Sequence, residues 1–142
     1  AKEIPKSVHE VNRVGFVFGK VLEEGISNTI TPTFLEKSVI SHLRKADAIV
    51  NRILIGKKLS KKLSQVPVIL FPADFGKTGK RSIAIRTFIT RDFMTGLPAR
   101  PGEDIDITVL EEMVQSILQE LPHISRVCYD LTSKPPATTE WE

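Results

Sequence analysis

Residues 82–90 read Ser82-Ile83-Ala84-Ile85-Arg86-Thr87-Phe88-Ile89-Thr90, and the run repeats with the period of a β-strand. Ile83, Ile85, Thr87 and Ile89 fall on one face and Ala84, Arg86, Phe88 and Thr90 on the other, the pattern of a sheet with one covered side. Three more segments carry strand signals: Val11 to Phe18, Val66 to Phe71 and Ile124 to Leu131. Thr31-Pro32 has the form of a helix start, a cap followed by proline where its missing N–H costs nothing. Leu35, Val39, Leu43, Ala46, Val50 and Ile53 then form one apolar stripe running toward Gly56. Downstream, Thr108 and Glu111 are spaced as a capping box ahead of Leu110, Met113, Val114, Ile117, Leu118 and Leu121, and Pro122 follows. Two helices of this length can cover such a sheet. The expected fold is α+β, a two-layer sandwich whose mostly antiparallel sheet carries two main helices on one face.

Around that frame, 142 residues with 41% hydrophobic and 26% charged content suit one ordinary domain or two very small ones. The composition is not that of a disordered chain. The apolar run Val66-Pro67-Val68-Ile69-Leu70-Phe71 is too short to span a bilayer, and Ala1-Lys2-Glu3-Ile4-Pro5-Lys6 has no secretory core, so a cytoplasmic protein without membrane contact is expected. A lone cysteine, Cys128, excludes an intrachain disulfide and a thiolate metal site. The formal charge of +3 is a mild bias, far from a nucleic-acid-binding tail. It is locally concentrated at Lys57, Lys58, Lys61 and Lys62 and at Lys77, Lys80, Arg81, Arg86 and Arg91, which read mainly as solvated faces.

An internal echo suggests how the chain is organised. Val11-Asn12-Arg13-Val14-Gly15-Phe16-Val17-Phe18 resembles Ile124-Ser125-Arg126-Val127-Cys128-Tyr129-Asp130-Leu131, with an apolar-polar-Arg-Val start and an aromatic in the same register. A full helix precedes the second copy, whereas the first begins ten residues into the chain. Residues 1–25 are therefore expected to be the end of a truncated first unit, and residues 26–142 a complete second one.

Few motifs point to chemistry. Gly76-Lys77-Thr78-Gly79 has the form of the backbone-clamping loop of KH-type RNA binders, yet it lies between predicted strands, where a glycine-rich turn is the plainer reading. A phosphate-cradling P-loop is excluded, because Arg81 follows Lys80 and Asp74 stands where the first glycine is needed. Cys128 falls inside a buried strand and reads as a packed thiol. His9, His42 and His123 lack metal-ligand spacing, and the carboxylate pairs Glu23/Glu24 and Glu111/Glu112 are sequence neighbours that do not converge. The tail is more telling. In Thr132-Ser133-Lys134-Pro135-Pro136-Ala137-Thr138-Thr139-Glu140-Trp141-Glu142, two prolines predict a stiff extended arm that holds an ammonium in place, and a tryptophan near the end gains most by packing.

That tail, from Asp130 to Glu142, resembles the carboxy terminus of GMP synthases, with its Ser-Lys-Pro-Pro and Glu-Trp-Glu elements. Arg86 to Thr90, Asp92-Phe93-Met94-Thr95-Gly96, the Val66 strand and Thr31-Pro32-Thr33-Phe34-Leu35 resemble the larger eukaryotic form of that family. The likeness covers nearly the whole chain and is densest in the last sixty residues. It implies a parent enzyme that makes GMP from XMP with glutamine and with ATP and Mg, whose carboxy-terminal domain supports homodimers and closes over XMP. By the same likeness Lys134 meets the XMP phosphate, Glu140 makes a polar contact in that site, Gln65 is a third candidate, and Trp141 packs. Arg86 is a further candidate on charge alone. The family's ATP loop, its glutaminase cysteine and its Val-Gly-Val-Gln-Gly-Asp segment have no counterpart here, so the chain alone is expected to hold no cofactor and catalyse nothing. The rival readings are a purely structural dimerisation domain and a KH-like RNA-binding module.

Overall fold

The computed structural model describes residues 1, 3–22, 29–90, 94–138 and 141. Glu23, Glu24, Arg91, Asp92, Phe93, Thr139, Glu140 and Glu142, all singled out above, lie outside the described residues. The elements run α1 (Ile4–Ser7), β1 (Gly15–Val17), α2 (Lys37–Gly56), β2 (Val68–Phe71), β3 (Arg81–Arg86), α3 (Ile107–Glu120) and β4 (Ile124–Asp130). The four strands form one sheet in the order β1-β4-β3-β2. β1 pairs antiparallel with β4 and β2 antiparallel with β3, while β3 and β4 run parallel. Parallel neighbours need a long crossover, which α3 supplies. The α+β class and the mainly antiparallel pairing are as expected.

One face of the sheet is covered by α2 and α3. Ile83 and Ile85 of β3 and Val127 and Tyr129 of β4 join Ala46, Ile49, Val50 and Ile53 of α2 and Leu110, Met113, Val114 and Ile117 of α3 in a single buried cluster. Both helices keep their expected ends but move their starts. α2 begins six residues after Thr31, because Thr31 is used elsewhere: its N–H donates to Pro72 O (2.8 Å) and its hydroxyl to Lys80 O (2.6 Å). Leu35, assigned to the apolar stripe, is 93% exposed ahead of the helix. α3 is capped by Asp106, whose carboxylate accepts the Thr108 N–H (2.9 Å), so Thr108 is inside the first turn and is not itself the cap.

The other face corrects the sequence reading of β3. Ser82, Ala84 and Arg86 are as deeply buried as their alternating neighbours. In register, Ala84 lies beside Cys128 and Arg86 beside Asp130, and these too are buried. The chain's own carboxy-terminal arm provides cover, with the Trp141 ring 5.0 Å from that of Phe71. The sandwich therefore has a third, irregular layer, and a strand read as half-covered is enclosed on both sides.

Gly76 to Gly79 lies in the turn between β2 and β3, with φ of 77° and 79° at the two glycines and Asp74 accepting the Gly76 N–H (3.1 Å). The two echoed segments are neighbours in the sheet: Gly15 pairs with Asp130, Phe16 with Tyr129 and Val17 with Cys128. The expected boundary at residue 25 falls among residues outside the description, and β1, on its amino-terminal side, is hydrogen-bonded to β4. Among the described residues no helix is long and apolar enough to cross a membrane.

Candidate functional site

The arm leaves β4 at Leu131 and is tied at once to the start of the chain. Leu131 N–H donates to Val14 O (2.9 Å), and Val14 N–H donates to the Thr132 hydroxyl (2.8 Å). Lys134 then forms a two-way backbone pair with Gly96, N–H to O at 2.8 and 2.9 Å. Gly96 is needed there: a Cβ on it would stand 2.8 Å from Cδ1 of the buried Phe88. Beyond Lys134 the arm does not run extended as the proline pair suggested. It turns, with Ala137 N–H donating to Ser133 O (3.2 Å), and the Lys134–Pro135 and Pro135–Pro136 peptide bonds are both cis.

This turn forms one wall of an open groove of about 820 Å³, bordered by the apolar Ile89, Leu97, Pro135 and Pro136 and by the polar Lys6, Thr90, Thr95, Ser133 and Lys134. Of its two ammonium groups, that of Lys6 is paired with Glu3 at 3.3 Å; an ammonium group is a compact charge for an anion with oxygen acceptors. Gln65 is not among the residues that border it: its carbonyl accepts the Phe88 N–H (2.8 Å), while its neighbour Ser64 donates through its hydroxyl to O of Thr90 in the groove wall (3.1 Å). Of the four expected site residues, then, Lys134 borders the groove, Gln65 is paired through its backbone with Phe88 outside that border, and Glu140 lies outside the described residues.

Arg86 is elsewhere. Its side chain is 1% exposed and points into the layer beneath the arm, so a direct solvent-facing contact with an anion does not fit its position. One guanidinium nitrogen bonds Asp130 Oδ2 and another donates to Thr138 O (2.8 Å), while Cζ sits 4.3 Å from the centre of the Phe88 ring. Burial pulls its pKa below the usual arginine value and the Asp130 charge pulls it back up; an arginine stays charged throughout. Asp130 collects further donors. Oδ2 also accepts from Trp141 Nε1 (2.7 Å) and Arg13 Nη1 (3.4 Å), and Oδ1 accepts the Thr132 N–H (2.8 Å). Arg13 in turn reaches Thr138 O (3.3 Å) and the Thr138 hydroxyl (3.2 Å). Sequence reasoning missed Arg13, Asp130 and Thr138 as a group. The arginine of the amino-terminal echo and the acid closing β4 were visible, but their meeting depends on pairing across almost the whole chain.

Cys128 and Tyr129 belong to the core. Burial pushes the Cys128 thiol up to about 11 against a small opposing effect of Arg126, which makes it a poor nucleophile. Burial likewise raises Tyr129 to about 12; its hydroxyl donates to Ala99 O (2.6 Å) and bonds the Thr87 hydroxyl. His42 and His123 stack with ring centres 4.9 Å apart. Lys57, in the first basic cluster, pairs with Glu112 at 3.0 Å on the surface.

Fold and groove together define an α+β domain that folds its own arm across a sheet to wall an open groove, with the arm's lysine on the rim. A protein-family model described as the GMP synthase C terminal domain matches residues 54–141. The chain is 51% identical to the GMP synthase [glutamine-hydrolyzing] of Dictyostelium discoideum, over 99% of this chain and 21% of that one. It is 40% identical to a probable GMP synthase [glutamine-hydrolyzing] of Caenorhabditis elegans, over 100% of this chain and 21% of that one. The Thermus thermophilus GMP synthase [glutamine-hydrolyzing] is 40% identical over 70% of this chain and 20% of its own length. The chain thus belongs to the GMP synthase C-terminal domain family, and it spans about a fifth of the length of these relatives. The KH-like reading is not favoured.

Proposed function

We propose that this chain is the part of a glutamine-hydrolysing GMP synthase that completes the XMP site and supports the homodimer, in a cytoplasmic enzyme that aminates XMP to GMP with ATP and glutamine. The observation that carries the reading is Lys134, set on the rim of the groove by its backbone pair with Gly96 within the Ser133-Lys134-Pro135-Pro136 motif. Its ammonium is a compact point charge for the XMP phosphate, and charge-assisted hydrogen bonds supply the binding energy. Glu140 adds a polar contact and Gln65 a third. Arg86, buried under the arm, supports the site from behind. ATP with its Mg, the activation of the purine and the release of ammonia belong on this reading to the rest of the synthase chain, and the isolated domain turns over no ATP.

The test is Lys134→Ala in an intact synthase carrying this domain. Losing one charge-assisted contact, typically about 1.5–3 kcal/mol, raises the XMP KM roughly ten- to a hundredfold and leaves the glutamine KM unchanged. Lys134→Arg, which keeps the charge and alters its shape, restores part of the affinity. An unaltered XMP KM combined with a lowered Tm or a weakened dimer refutes the assignment and leaves a purely structural dimerisation domain.

A further inference from the structure

The groups bound to Asp130 bracket one segment of the chain. Its Oδ1 holds the Thr132 N–H, just before Ser133 and Lys134, and its Oδ2 holds Trp141 Nε1, just after Glu140. One carboxylate, with no exposed side-chain surface, therefore grips the arm on both sides of Lys134. Midway, at Thr138, the same segment is held by Arg86 and Arg13, the two arginines that also neutralise this carboxylate. On the rim side the Lys134 backbone is pinned to Gly96.

We propose that Asp130 is a positioning residue for the nucleotide site, a carboxylate that ties Thr132 and Trp141 together and so holds Lys134 where it meets XMP. This rests on the assignment of Lys134 to the XMP phosphate. A loop fixed before the ligand arrives spares binding the entropy of ordering it, and a lysine already in place converts its full charge into affinity. Releasing the loop makes XMP order it anew, so binding weakens while turnover at saturation changes little. A clasp of purely structural value would move stability and leave the XMP KM alone.

Two variants in the intact synthase separate these roles. Trp141→Phe removes the Nε1 donor and keeps a ring against Phe71. Asp130→Asn turns an amide N–H₂ toward donors that need an acceptor. Trp141→Phe is expected to raise the XMP KM by roughly tenfold, the worth of a hydrogen bond to a charged group, with kcat and the ATP and glutamine KM values unchanged. Asp130→Asn is expected to do more in the same direction, and if it does not fold, Trp141→Phe carries the test alone. Placed on Lys134→Ala, Trp141→Phe should add less than its full factor, because the two act on one contact. If Lys134→Ala raises the XMP KM but Trp141→Phe leaves it alone, or if the two factors simply multiply, the positioning role is wrong and the Lys134 assignment stands. If Lys134→Ala itself has no effect, the assignment fails and the positioning role with it.

Discussion

Replacing Arg86 with methionine should cost the isolated domain a large part of its stability. Methionine keeps an unbranched apolar chain but removes the charge, including the guanidinium carbon that lies 4.3 Å from the centre of the Phe88 ring. Asp130 would lose its closest partner, and Thr138 O the 2.8 Å bond from the other guanidinium nitrogen. Breaking a buried pair by removing one member typically costs about 3–5 kcal/mol. Arg13, with a side chain 14% exposed and 3.4 Å from the same carboxylate, stays to neutralise it, which points to the lower end of that range. A chain of this length holds on the order of 7–20 kcal/mol, so the variant remains folded. At about 3 °C per kcal/mol its Tm falls by roughly 10 °C. Circular dichroism melting, with the urea midpoint as a second measure, reads this directly. A Tm within about 2 °C of the parent is what a solvent-facing arginine gives, and it would falsify the buried-pair account.

Three further outcomes are expected. Cys128 should resist thiol reagents at pH 8 in the native chain, since its pKa is pushed up to about 11 and it is buried, and should label quickly once urea unfolds the domain; fast native labelling would contradict this. Asp106→Ala removes the α3 cap and should lower stability by about 1 kcal/mol, whereas Thr108→Ala, at a position read from sequence as the cap, should cost less; denaturant melts of the two variants decide between them. His42 is lowered below its usual value by burial first, and then by His123, Arg81 and Lys45. The unfolded chain therefore binds the extra proton more readily, and this contribution is present above about pH 6.5 and fades as pH falls through the lower folded value. His42→Gln should flatten the stability–pH curve in that window, and an unchanged slope would contradict the burial effect.

The helices and strands were legible wherever local pattern and tertiary use agree. Gly56 and Pro122 close helices because glycine and proline act on the backbone whatever surrounds them. Thr31-Pro32 misled because a threonine that can cap a helix can equally donate its N–H and its hydroxyl to two separate carbonyls, here Pro72 O and Lys80 O, both distant in sequence. The same limit applies to β3: Ser82, Ala84 and Arg86 have the small and polar look of an open face, and for Arg86 the cover comes from the arm returning beyond Leu131, through Thr138. At the site, Lys134 was legible through its motif, and Trp141 through the size of its apolar surface. Asp130 was not, because a carboxylate's role is set by its donors, and these come from positions 13, 86, 132 and 141.

The edge strand has a consequence for how the domain is made. Gly15 pairs with Asp130, more than a hundred positions later, and Val14 is tied to Leu131 and Thr132. The β2–β3 hairpin and α2 need only nearby chain and can form while synthesis continues, but β1 has no partner until β4 has left the ribosome. A contact of such long range closes slowly, because its loop entropy comes due before any pairing rewards it. Residues 15–17 therefore wait without their β4 partner while the hundred-odd residues between the two strands are made, and this edge of the sheet closes only when β4 arrives.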